Sequence, residues 1–163
     1  MKPSAPPSAS IATKDGADRT KLERVINELP VGFDALQAAA RSEEYRHLDR
    51  LAAEWKTNTI RFDREGEALM AARVGAELAG IGGLTIDPML PTALRMRRFY
   101  VGKPFRRKGV GRAIAGNLLA LTRASRRPVT VNAAAGSEPF WESLGFVPDL
   151  RDGHTHAILR SLA

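Results

Sequence analysis

The sequence predicts an α+β domain: a twisted, mostly antiparallel sheet with one crossover helix and further flanking helices. Three observations predict it. Residues 67–87 read as two apolar arms around Gly75-Ala76, a β-hairpin. Residues 93–133 read as strand, glycine loop, helix and strand, the order of a crossover between parallel neighbours. Residues 146–162 add short β-rich runs at the end. A chain of 163 residues, 44% of them hydrophobic, is one domain's worth and can bury about 70% of its unfolded surface.

Residues 1–19 are rich in Pro, Ser and Ala with no apolar period, and a disordered tail is expected before a single domain over 20–163. Leu22, Val25, Ile26 and Leu29 fall at i, i+3, i+4, i+7, the spacing of a short helix stopped by Pro30. A second helix is expected over 33–56, where Leu48, Leu51, Ala52 and Trp55 repeat that spacing and His47 falls on the charged, solvent-facing side. In the hairpin, Gly80, Gly82 and Gly83 mark a bulge or a close backbone approach. Strand alternation over 93–101 puts Leu94, Met96, Arg98 and Tyr100 on one face and Arg95, Arg97, Phe99 and Val101 on the other. The next helix spans about 111–125, with Val110, Ala113, Ile114, Asn117, Leu118 and Leu121 as its inner stripe. A short strand follows at 129–133. Ser137 is placed to cap a small helix that Gly145 ends, and 146–147 and 154–162 are the closing strands.

The absence of cysteine excludes a disulfide scaffold, a thiolate zinc site, an iron–sulfur centre and a cysteine nucleophile, and fits a reducing compartment. The apolar runs are too short for a membrane span, the N-terminus shows no signal-peptide core, and a cytoplasmic protein is expected. His154 and His156 alternate on one strand face without a third ligand, so no metal site is expected.

The net charge of +7 is concentrated. Eleven of the 25 basic residues and no acid lie between Arg95 and Arg127; elsewhere acids outnumber bases. A charge this local points to an anion. Within it, Arg106-Arg107-Lys108-Gly109-Val110-Gly111 follows one expected strand and opens the expected helix. Glycines there let the backbone approach a ligand, and the unpaired amides and dipole of a helix start attract negative charge. The loop has neither the Gly-Lys-Ser/Thr of a Walker loop nor a dinucleotide fingerprint.

The run F-Y-V-G-K-P-F-R-R-K-G-V-G-R-A-I, followed by F-W-E-S-L-G-F, resembles the GNAT superfamily of N-acetyltransferases. Arg106, Gly109 and Gly111 match its R/Q-x-x-G-x-G/A acyl-coenzyme A motif; Phe140, Gly145 and Phe146 match its F-Y-x-x-x-G-F element. The resemblance covers residues 67–146 and extends to the N-terminal helices. It implies acetyl-CoA as acyl donor, a primary amine as acceptor, and a gap between two splayed strands, 93–101 and 129–133, that admits the pantetheine arm. The implied donor residues are Phe99 and Val101 along the arm, Arg106, Arg107, Lys108, Gly109, Val110, Gly111 and Arg112 around the diphosphate, and Asn132 and Trp141 near the gap.

Acetyl transfer needs a proton acceptor for the amine, a polarised thioester carbonyl and a proton for the leaving thiolate. Trp141 stands where many family members carry the acidic Tyr, and an indole N–H is not a usable acid. Tyr100, Ser137 or a water remain as the acid. The strand 93–101 holds no carboxylate, which leaves Glu67 as the favoured base, ahead of Asp87, Glu65 and Asp63. Arg95, Arg97 and Arg98 on that strand disfavour a cationic acceptor and favour one with a carboxylate or phosphate: an amino acid, an acidic metabolite or aminoacyl-tRNA. A monomer or homodimer is expected, with nucleic acid involved only as substrate. Two other functions are compatible with the sequence, a non-catalytic acyl-CoA sensor and a nucleic-acid-binding module on the basic stretch. The latter lacks a recognised binding motif.

Overall fold

A computed structural model describes residues 19–151 and 153–160. The expected tail, apart from Arg19, lies outside them. In chain order the elements are β1 (Thr20–Arg24), α1 (Phe33–Ser42), α2 (His47–Lys56), β2 (Ala68–Val74), β3 (Glu77–Ile86), β4 (Leu94–Val101), a 3₁₀ turn (Lys103–Phe105), α3 (Val110–Thr122), β5 (Val129–Val131), α4 (Glu138–Ser143), β6 (Val147–Arg151) and β7 (His154–Ile158). The seven strands form one sheet in the order β1-β2-β3-β4-β5-β7-β6. All neighbours are antiparallel except β4 and β5, which are parallel and joined by the α3 crossover.

Both faces of the sheet are covered, and strand alternation divides the core in two. Ala68, Met70, Ala72, Leu84, Leu94 and Met96 pack with Val110, Ile114 and Leu118 of α3. Leu69, Ala71 and Ile81 point the other way, onto Phe33 and Leu36 of α1 and Leu48, Leu51 and Trp55 of α2. The Gly75-Ala76 turn forms as expected, with Gly75 at φ 63°, a left-handed value that costs glycine nothing.

Four expectations about local structure are corrected. Residues 20–24 form a strand, not a helix. The exposed edge of β2 supplies backbone partners from Thr20↔Val74 to Arg24↔Met70, and that pairing overrides the helical spacing. Ile26, a member of the expected apolar stripe, is 66% exposed. The long helix over 33–56 is two helices. The chain turns at Glu44, which adopts φ 68°, and no Gly or Pro announces the break. On α3 the buried stripe is Val110, Ile114, Ala115, Leu118 and Thr122, whereas Asn117 and Leu121 face outward. Ser137 does not cap α4 through its side chain, because its hydroxyl donates to the Ala134 carbonyl instead (2.7 Å).

The fifth correction shapes the site. In β4, Ile81 pairs with Tyr100 but Gly83 pairs with Arg97, so Arg98 and Phe99 together oppose Gly82. Arg98 is the extra residue, at φ 61°. Alternation slips by one across this bulge. Phe99 and Val101 join Leu94 and Met96 on the α3 side, while Tyr100 enters the core under α1 and α2. Arg98 also reaches the α2 side, where it pairs with Glu54, so it does not oppose Arg95 and Arg97 as simple alternation predicts. Gly82 makes room for the bulge: a Cβ there would lie 2.6 Å from the Phe99 ring.

Candidate active site

The parallel pair β4–β5 is short. Leu94↔Val129, Arg95↔Thr130 and Met96↔Val131 are in register, and beyond Met96 the strands part. A cavity of about 750 Å³ occupies the divergence. One wall is β4 from Arg95 to Val101; the opposite wall is the segment from Val131 to Ser137; Trp141 and Phe140 of α4 close one end and Tyr45, His47 and Arg50 the other.

At the α4 end the wall is aromatic. Trp141 is buried and meets Phe99, Phe140 and Phe146 edge-to-face, with ring centroids 5.0, 4.9 and 5.4 Å away. Gly111 also borders the cavity. Gly109, at φ 84°, is the left-handed residue from which α3 starts. Ala113 is the first residue of α3 to close a helical bond, onto the Gly109 carbonyl at 2.9 Å. The amides of Val110, Gly111 and Arg112 precede it and have no carbonyl one turn back. Arg107 and Lys108 are exposed beside them, and Arg112 donates to Ser143 (2.6 Å).

Arg106 turns inward. Its Nε donates to the Val101 carbonyl (2.8 Å) and its two terminal nitrogens to Glu43 (3.0 and 2.7 Å). Tyr100 donates its hydroxyl to the same Glu43. Hydrogen bonds from Arg106 and Tyr100 hold the Glu43 carboxyl below the usual range, while burial and the hydrogen bond to Glu43 push Tyr100 up to about 12. This knot ties the glycine loop to the break between α1 and α2.

At the other end the lining is cationic. Five arginines border the cavity (Arg50, Arg95, Arg97, Arg98 and Arg106) and, among the described residues, no carboxylate does. The three on β4 differ in how they are neutralised. Arg98 forks onto Glu54, at 3.2 and 2.7 Å. Arg95, 9% exposed, lies 3.1 Å from Asp87, yet its Nε and that same Nη2 have no aligned hydrogen-bond partner among the described residues. Burial works to raise the Asp87 pKa, but bonds from Thr130 and the amides of Met89 and Leu90, with Arg95 beside it, hold it below the ordinary value. Arg97 is half-buried, and its side chain makes no hydrogen bond or salt bridge with the described residues. Burial first, then the Arg98 charge, pulls its pKa down.

Of the residues expected at the site, Arg95, Arg97, Arg98, Phe99, Tyr100, Val101, Arg106, Gly111, Asn132 and Trp141 all line the cavity. Glu67 does not. Its carboxylate is buried at the start of β2 and saturated by the Arg64 amide (3.2 Å), the Arg64 guanidinium (3.0 Å) and the Ile86 amide (2.9 Å). Asp87 is likewise enclosed. Tyr45, His47, Arg50 and Glu43 were not anticipated. All four come from the break between the helices and the first turn of α2, and only the fold brings that segment over β4. His47, half-buried, lines the cavity and does not lie on an open solvent face. His154 and His156 have structural partners, Asp149 and Glu142, each at 2.9 Å.

Comparison with known proteins identifies the class. Residues 36–158 match the family model of the acetyltransferase (GNAT) domain, and the chain belongs to that family. It is an acyl-transferring enzyme. No curated protein matches the sequence. Among solved structures, a protein of Exiguobacterium sp. 255-15 assigned as an acetyltransferase superposes with a TM-score of 0.77 at 21% identity, covering 85% of this chain and 91% of its own. An acetyltransferase of Streptococcus agalactiae gives 0.64 at 15% identity (85% and 89% covered). Ard1 of Thermoplasma volcanium gives 0.61 at 19% (85% and 93%). At these identities the structures share the fold. Among the described residues, no helix is long and apolar enough to cross a membrane.

Proposed function

We propose that the protein moves the acetyl group of acetyl-CoA to a primary amine on an acceptor that also carries a carboxylate or phosphate. The observation that carries this reading is the cavity's charge: among the described residues, five arginines and no carboxylate border it, and Arg97 has no ion pair. An acceptor with its own anion supplies the missing partner, whereas a polyamine brings only further positive charge to Arg97.

The donor side supports acetyl-CoA. The β4 edge from Arg97 to Val101 has lost its β5 partner, which leaves backbone groups free to pair with the amide-bearing pantetheine arm. The first amides of α3, with Arg107 and Lys108 beside them, suit the diphosphate. Asn132 and Trp141 flank the gap through which the arm would pass. Arg106 serves this site by fixing the loop, since its guanidinium is committed to Glu43 and Val101. The cysteine-free composition fits a reducing, cytoplasmic setting.

The test is a thiol-release assay with acetyl-CoA against glutamate, 2-aminoethyl phosphate, glutamine, polyamines, aminoglycosides and charged tRNA. Anionic amines are expected to react faster than their amidated or cationic counterparts, with the preference shrinking at high salt. Polyamines or aminoglycosides emerging as the best acceptors would overturn the reading.

A further inference from the structure

An ammonium group must lose a proton before its nitrogen can attack a thioester. The described residues that line the cavity offer few takers. The five arginines stay protonated. Tyr45 and Ser137 are hydroxyls that carry their own protons, and Asn132 and Trp141 have no basic atom. Tyr100 already gives its hydroxyl hydrogen to Glu43. That leaves His47.

His47 is the first residue of α2, and its ring faces the cavity. Its Nδ1 is buried with no hydrogen-bond partner among the described residues, which leaves Nε2 as the nitrogen able to meet a bound molecule. The groups around it are the Tyr45 ring, edge-on at 5.8 Å, Arg50 from its own helix and Arg98 from β4; among the described residues no carboxylate is paired with it. Burial first, then the charges of Arg98 and Arg50, lowers its pKa from the ordinary value, which favours the neutral imidazole that a base requires. The positive end of α2 acts in the same direction.

We propose that His47 is the general base of the acetyl transfer, taking the proton of the acceptor ammonium on Nε2. This rests on the reading of the cationic chamber as the amine site. The N–H bond breaks, its electron pair stays on nitrogen and the proton passes to Nε2. The amine forms the new C–N bond at the thioester carbonyl, the C–S bond breaks, and a second amine proton goes to the leaving thiolate. His47 then returns its proton to water. The surrounding arginines assist by lowering the pKa of an ammonium held among them.

The test measures thiol release from acetyl-CoA with glutamate and 2-aminoethyl phosphate as probe amines, between about pH 5 and 9. In the wild type, kcat should fall on the acid side as His47 protonates. His47→Gln should lower kcat about a hundredfold and abolish that limb, with the KM for acetyl-CoA unchanged. His47→Ala should regain activity when imidazole is added, which a purely structural histidine would not permit. If the wild type is active but His47→Gln keeps its rate and acid limb, or His47→Ala is not rescued, the assignment falls and the acceptor reading stands. If the wild type binds acetyl-CoA but releases no thiol with either amine, the acceptor reading falls and His47 falls with it.

Discussion

The two ends of the cleft are built on different principles. Toward α3 and α4, the groups that face the gap are main-chain amides and aromatic rings, contributed by short contiguous runs of sequence. Toward α2, they are mainly charged side chains from β4 and the first turn of α2, joined by Tyr45 from the break between α1 and α2. A main-chain site depends on conformation, and glycine with its left-handed φ marks that conformation in the sequence. A side-chain site depends on which distant segments meet, and no local pattern records the meeting.

Substitutions can be aimed at one end and read at the other. The largest effect is expected from Gly111→Asp. Gly111 has room for a Cβ, 3.5 Å from Phe140, so the change adds charge more than bulk. Calorimetry should find acetyl-CoA binding lost while circular dichroism stays native. Retained affinity would mean that the helix start does not hold the diphosphate.

Trp141→Ala comes next. Removing a buried ring that touches three others should cost about 3 kcal/mol in urea unfolding. Trp141→Phe should keep most of the turnover, because the indole fills space and transfers no proton. A collapse of kcat in the Phe variant, with normal folding, would give the α4 end a chemical role it is not expected to have.

At the α2 end, Arg97→Gln should cut kcat/KM for an anionic amine about tenfold, roughly 1.4 kcal/mol, and leave acetyl-CoA affinity untouched. An equal loss of acetyl-CoA binding would show that the two ends share their cations.

The smallest effect concerns acid stability. Asp87 titrates below its ordinary value of 3.8 in the fold, so it adds stability above that pH and loses the contribution as pH falls through the depressed value. The wild-type urea midpoint should therefore drop between neutral pH and about pH 3. In Asp87→Asn that drop should be shallower from a lower starting point, because Arg95 is left uncompensated.

The same contrast explains what could be read from the sequence. The hairpin, the crossover and the glycine loop were legible because turn residues and strand–helix order carry them. The β1 strand was not, since Leu22, Val25, Ile26 and Leu29 fit a helix by spacing and only the vacant edge of β2 makes a strand of 20–24. The arginine run on β4 was visible, but its facing was not. One extra residue at Arg98, accommodated by Gly82 on the next strand, reverses the alternation. Glu67 looked available as a base because nothing near it in sequence reveals that Ile86, nineteen residues away, closes over its carboxylate. His47 reads as solvated because it falls on the charged side of the helix expected over 33–56, and no local pattern shows that this side covers β4.

The aromatic wall has an optical consequence. The protein has two tryptophans. Trp55 lies in the opposite core with the Arg61 guanidinium 4.0 Å from its ring centre, while Trp141 borders the cleft. Ultraviolet emission from Trp141 therefore senses whatever enters the gap, and emission from Trp55 supplies a constant background. A Trp55→Phe enzyme, excited at wavelengths that indole absorbs and tyrosine does not, would carry Trp141 as its single tryptophan at the donor end, able to follow occupancy of the gap in real time without a label.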